Sequence, residues 1–126
     1  MIGFLQGNEM IDEELVQAFN AKPRVDINNI KKMSPGQLDQ IKVYGSIAEN
    51  LLNNKDFALF VHHYKFDMTA ELTSITGHSV DDNARRVSIA HNIAGLDKFV
   101  TMLKRAVYFK EKAVSIQNAP LDKEIL

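Results

Sequence analysis

The sequence predicts an all-α protein: a short N-terminal helix and three longer ones, packed mainly antiparallel, the last of them a long C-terminal helix. Three observations carry that expectation. A seven-residue apolar repeat runs through residues 79–117, a second helical stripe runs through 55–76, and full helix-start signatures stand at Ser34 and Ser79. In the repeat, Ile93, Val100, Val107 and Val114 take one position of the heptad, and Ile89, Leu96 and Leu103 take the position three residues on. That is the stripe of a helix packed along its length. From Phe99 a second stripe runs beside it: Phe99, Met102, Ala106, Phe109, Ala113 and Ile116. The two merge into an apolar arc of roughly 160°, against a narrow seam in the first half. A narrow seam needs one neighbour, and a wide arc needs two.

The other elements follow in order. Residues 1–9 read as a loose arm, with Gly3 and Gly7 and only Ile2, Phe4 and Leu5 to anchor it. Asp12 to Ala21 reads as a short helix: Asp12, Glu13 and Glu14 favour the positive end of its dipole, and Ile11, Leu15 and Phe19 line one side. Pro23 ends it, and residues 23–33 lack periodicity and read as a linker. Ser34 is an N-cap with Pro35 at N1 and Gln37 at N3, and Met33 and Leu38 form a hydrophobic staple. In the helix that follows, Gly45 should cost about 1 kcal/mol against Ala, for which a close helix crossing is a better reason than drift.

Asn53 and Asn54 break the chain and cap the next helix, from about Lys55 to Thr76. Phe57, Phe60, Val61, Tyr64, Met68, Leu72 and Ile75 form its main stripe, while Leu59, Phe66 and Ala70 add another, so burial on more than one side is expected. Gly77 stands where a C′ residue belongs. Ser79 opens the last helix with Asp82 in a capping box, and Asn118 and Pro120 close it. The chain thus divides into residues 1–33 (arm, short helix and linker), a helical domain over 34–117, and a polar tail over 118–126.

Length sharpens the assembly argument. A helix over residues 79–117 would measure about 58 Å. A compact domain of this size has a diameter of only about 36 Å. The rod should overhang its own domain unless it breaks at Gly95, and an overhanging apolar arc needs another chain. Phe99, Met102, Ala106, Phe109, Ala113 and Ile116 are therefore expected at a protein interface, and Val100, Leu103 and Val107 against the chain's own helices.

Composition excludes several chemistries. The chain has 126 residues and no Cys, which removes disulfides, thiolate nucleophiles and Cys-based metal sites. A formal net charge of −1 gives no bulk attraction to nucleic acid or anionic membrane. No apolar run reaches the 18 or so residues that span a bilayer, and MIGFLQGNEMIDEEL lacks the basic start of a secretory signal. His63 and Asp67 share a helix face but are only two ligands, so no metal and no cofactor is expected. Phosphate-loop, dinucleotide and nucleophile-elbow motifs are absent, which argues against an enzyme. Asp81 and Asp82 stand four residues before Arg85 and Arg86, the spacing of helix-stabilising pairs. Lys98, Lys104, Arg105, Lys110 and Lys112 against Glu111 give residues 98–112 a local charge of +4. They could contact nucleic acid or an acidic partner, but they fall mostly on the polar side of the helix, where a solvated face belongs.

Two passages carry a family resemblance. The run from Tyr44 to Asn54 (YGSIAENLLNN), followed by Phe57, and the later Asp82 to Arg86 (DNARR), followed by Ile93, Leu96, Phe99 and Leu103, resemble small helical proteins encoded in tailed-bacteriophage virion gene clusters. The resemblance covers about residues 38–105 and brings no catalytic residues with it. It implies a virion structural or assembly role. The leading expectation is thus a non-enzymatic virion structural or assembly protein, found in the host cytoplasm or virion, whose partners are itself as a homo-oligomer or other virion proteins. A small anti-defence or regulatory protein that inhibits a host protein is one alternative. A DNA-recognition protein such as a small terminase subunit is another.

Overall fold

The heptad repeat builds one unbroken helix, and the rest of the chain is laid along it. In a computed structural model describing residues 12–119, the elements are α1 (Glu13–Asn20), a 3-10 turn (Ile30–Lys32), α2 (Pro35–Leu52), α3 (Lys55–Ser74) and α4 (Val80–Asn118). No strand occurs among the described residues. The expected arm over residues 1–9 and nearly all of the expected polar tail lie outside them. Four helices, the last of them 39 residues long, realise the all-α expectation. Gly95 does not break α4.

Both α2 and α3 run antiparallel to α4, but on different halves of it. Asp39 at the start of α2 accepts from Gln117 Nε2 at 3.1 Å, and Glu49 near its end pairs with Lys110 at 2.7 Å. Phe57 at the start of α3 meets Phe99, Lys65 pairs with Asp97 at 3.1 Å, and Glu71 lies 3.8 Å from Arg85. Thus α2 and α3 point the same way, end to end, and meet at Asn53 and Asn54. Their 18 and 20 residues together match the 39 of α4. The long helix therefore does not overhang. The expectation assumed a sphere, whereas a jointed pair of helices backs α4 from end to end.

The wide apolar arc also finds its second neighbour inside the chain. Ile30, Leu38, Ile41 and Ala113 form one buried cluster, with Val25, Met33, Phe109 and Ile116 packed against it. Residues 23–33 are thus a covering segment and not a free linker; their apolar side chains pack from an irregular backbone that shows no period. A second cluster joins Ala48, Leu103 and Ala106, flanked by Tyr44, Leu52, Phe57 and Val107. Four of the six expected interface residues, Ala106, Phe109, Ala113 and Ile116, are used by the chain's own core.

Between the clusters, α2 and α4 come close enough to need glycine. A Cβ on Gly45 would lie 2.7 Å from the Ala106 carbonyl oxygen and would overlap the Lys110 side chain. The crossing expected at Gly45 is there.

The helix starts are local. Ser34 and Ser79 each form a capping box, and Asp12 and Asn54 each accept from the backbone N–H three residues on. The turn between α3 and α4 differs from expectation. α3 ends at Ser74 and Gly77 has no positive φ, so Gly77 is not a left-handed cap. A Cβ there would instead overlap the Asp82 carboxylate. Arg86 donates to the carbonyls of Ile75, at 3.1 Å, and Gly77, and so ties the turn after α3 to the first turns of α4. With Asp82 committed to Ser79 and Arg85 lying near Glu71, the expected Asp81–Arg85 and Asp82–Arg86 bridges do not form.

Two stability tests follow from these contacts. Gly45→Ala should cost about 1–3 kcal/mol, because the helices must separate to admit the methyl group; a thermal melt reads it. Hydrogen bonds from the Ser79 side chain and then its backbone hold the Asp82 carboxyl below the ordinary 3.8. A lowered folded value means the charged form is the one favoured by folding. The melting-temperature gap between the parent and Asp82→Ala should be full at neutral pH and narrow as the pH falls through that lowered value.

Candidate interaction surface

Burial is unequal along α4. The α2 half is backed by α2 and by residues 23–33, while the α3 half has α3 alone. No residue of α3 is fully buried, which corrects the expectation of burial on more than one side. Ile75 and Ile89, near the α3–α4 turn, are the buried apolar side chains of that half. The seam toward α4 uses Val61, Lys65, Met68 and Leu72 at alternating spacings of four and three, all half-buried. Leu59 and Phe66 stand on the opposite side, with Phe66 72% exposed.

One flank of this two-helix arm is aromatic. Phe57, Phe60 and Tyr64 recur at three and four residues on α3, and Phe99 and Met102 are three apart on α4. Phe57 and Phe99 tie the two rows together, edge to face with ring centres 6.2 Å apart. Phe60 is 71% exposed, and Tyr64, Phe99 and Met102 are each about two-fifths exposed. The other flank carries the Lys65–Asp97 pair and a shallow cleft lined by His62, Thr101 and Lys104.

The aromatic flank runs on into a groove of about 610 Å³, where Phe19, Pro23 and Val25 face Tyr44, Met102 and Phe109. Every residue of α1 is exposed, including Leu15, Val16 and Phe19. A smaller gap of about 310 Å³ separates Ala18 and Ala21 from Val43 and Ile47 of α2. Thus α1 lies beside the α2–α4 pair without burying its apolar side.

The expected interface residues separate accordingly. Phe99 and Met102 reach the surface, and Ala106, Phe109, Ala113 and Ile116 do not form a free stripe. The five cations separate too. Lys98, Lys104 and Arg105 are exposed, whereas Lys110 is engaged by Glu49 and Lys112 lies 5.5 Å from the centre of the Tyr108 ring. The +4 stretch is therefore not one continuous patch. Phe60 and Phe66 were not expected at the surface: the sequence showed two stripes on one helix and gave no count of the neighbours available to cover them.

Among the described residues no three His, Asp or Glu side chains converge as metal ligands, and no helix is long and apolar enough to cross a membrane. The architecture is that of an all-α protein whose jointed helix pair backs one long helix. Comparison with protein-family models, curated proteins and solved structures finds no match for this chain.

The two kinds of cation should respond differently to mutation. Lys104→Gln should change stability by less than about 0.5 kcal/mol, as solvated surface changes do. Lys110→Gln removes the partner of Glu49 at the helix crossing and should cost more, up to about 1 kcal/mol, because both groups are partly solvated. Paired denaturant titrations check the order.

Proposed function

We propose that the protein is a non-enzymatic structural or assembly component of a tailed-bacteriophage particle, acting through helix–helix contacts. The observation that carries this reading is the aromatic surface left on an otherwise well-capped helical frame. Contiguous apolar patches on folded proteins mark protein contacts. Large aromatics such as Phe60 are effective anchors because each buries a large area at little cost in side-chain entropy. The resemblance to virion-cluster proteins spans about residues 38–105, the stretch that includes most of α2, all of α3 and the first two-thirds of α4. It supplies the biological setting; the exposed rings supply the mode of action.

Mass spectrometry of gradient-purified particles and assembly intermediates, from a phage that encodes this chain, tests the reading. The protein should sediment with one of those fractions. A Phe60→Ser, Phe66→Ser variant that keeps its helical circular-dichroism signal should be lost from them. Recovery of the parent only as free protein at every stage would remove the proposal.

A further inference from the structure

The described residues leave a groove of about 610 Å³ between the end of α1 and the α2–α4 pair, and we infer that the chain's own N-terminal segment, residues 1–11, docks in it. The inference goes beyond the particle reading and does not depend on it. Composition is the first reason. Six of those eleven residues are large and apolar (Met1, Ile2, Phe4, Leu5, Met10 and Ile11), and Glu9 is their only charged side chain. The whole chain, by contrast, is 45% apolar and 25% charged. A segment that stays in water is built the other way, poor in apolar residues and rich in charge. Residues 1–11 therefore have the composition of a stretch that finds an apolar surface.

The groove supplies such a surface within reach. Phe19, Pro23 and Val25 form one wall, and Tyr44, Met102 and Phe109 the other. Its volume is that of sites that enclose a drug-sized ligand, enough for several side chains. Helix α1 joins the two: the segment enters it at Asp12, and Phe19 near its far end lines the groove. Those positions are about 10 Å apart along the helix, against a reach of roughly 36 Å for eleven extended residues. Gly7 and Asn8, both turn formers, stand between Met10 and the Ile2–Leu5 cluster, where the chain must fold back along α1. A segment lying there also covers Leu15 and Phe19, the exposed apolar pair at four-residue spacing on one side of α1.

Charge and tethering favour this occupant over others. Lys22, Arg24 and Arg105 also line the groove, all three exposed, so its rim is positive where Glu9 is negative. Residues 120–126 suit it less. Three of those seven are charged, and they leave α4 after Ala119, about 25 Å along the helix from Met102. The matching segment of a second copy has the same chemistry, but a short tether holds a chain's own segment at an effective concentration on the order of millimolar. At ordinary protein concentrations the chain's own segment therefore takes the groove.

The chain has no Trp, so a single indole placed in the segment reports its surroundings. In the intact chain, Phe4→Trp should emit at shorter wavelength than Phe66→Trp, whose position is open to solvent, and acrylamide should quench it several-fold less. Phe19→Ser and Met102→Glu, added singly to Phe4→Trp, change groove walls that are 77% and 39% exposed, so the helical circular-dichroism signal should hold. Quenching should nevertheless rise toward the Phe66→Trp level in both. Phe66→Ser, outside the groove, should leave the Phe4→Trp signal unchanged, and protection should not vary with protein concentration. An indole at position 4 quenched as readily as Phe66→Trp, or protected but indifferent to both groove changes, overturns the docking. Protection that is lost on dilution puts the segment on a second copy and overturns its assignment to its own groove.

Discussion

The close approach of α2 and α4 at Gly45 is the contact on which the other placements depend. With no side chain between them, the α2 backbone reaches the Ala106 carbonyl, and two apolar clusters form on either side of the crossing. That fixes α2 along the second half of α4. The joint at Asn53 and Asn54 then falls near the middle of the long helix, and α3 can only continue along the half that remains. The groove between α2 and α4 is also what Ile30 and Val25 fill. A β-carbon at one residue would disturb all of these, because the clusters share the same helix pair.

The price of this arrangement is asymmetry. Protein domains bury apolar faces between layers, and two helices side by side provide only a line of contact. Where residues 23–33 add a third element, Ile41 is 1% exposed and Ala113 fully buried. Where they do not, the α3 seam stays half-buried and rings such as Phe60 and Phe66 face outward. The arm is held by its turn, through Arg86 on the Ile75 and Gly77 carbonyls, more than by a core of its own.

What the sequence revealed followed the range of the interactions. Helix starts were legible because a cap is closed within three residues, as at Ser34 and Ser79. Gly45 was legible because a glycine inside a strong helix has few physical reasons to be there. The wide arc of α4 was legible as a need for two neighbours, but not which ones: Val25, Ile30 and Met33 come from a stretch with no period. Likewise nothing near Lys110 announces Glu49, which is 61 residues away. The overhang argument failed for a different reason, since a radius of gyration describes a compact shape and this chain is elongated. Of the six residues expected at an interface, four pack in the chain's own core and only Phe99 and Met102 stay exposed, because spacing alone could not divide one helix face between internal and external neighbours.

The hairpin layout also sets an order in time. Contacts across the α3–α4 turn close small loops: Arg86 reaches Ile75 across only 11 residues. Contacts between α2 and α4 close much larger ones, 78 residues for Gln117 and Asp39. Loop closure costs more entropy as the loop lengthens, so local contacts form before distant ones. The chain therefore zips from the turn toward the joint, and the part that forms first is the part with the thinnest core. The best-buried cluster, around Ile41 and Ala113, must wait until the end of α4 has left the ribosome.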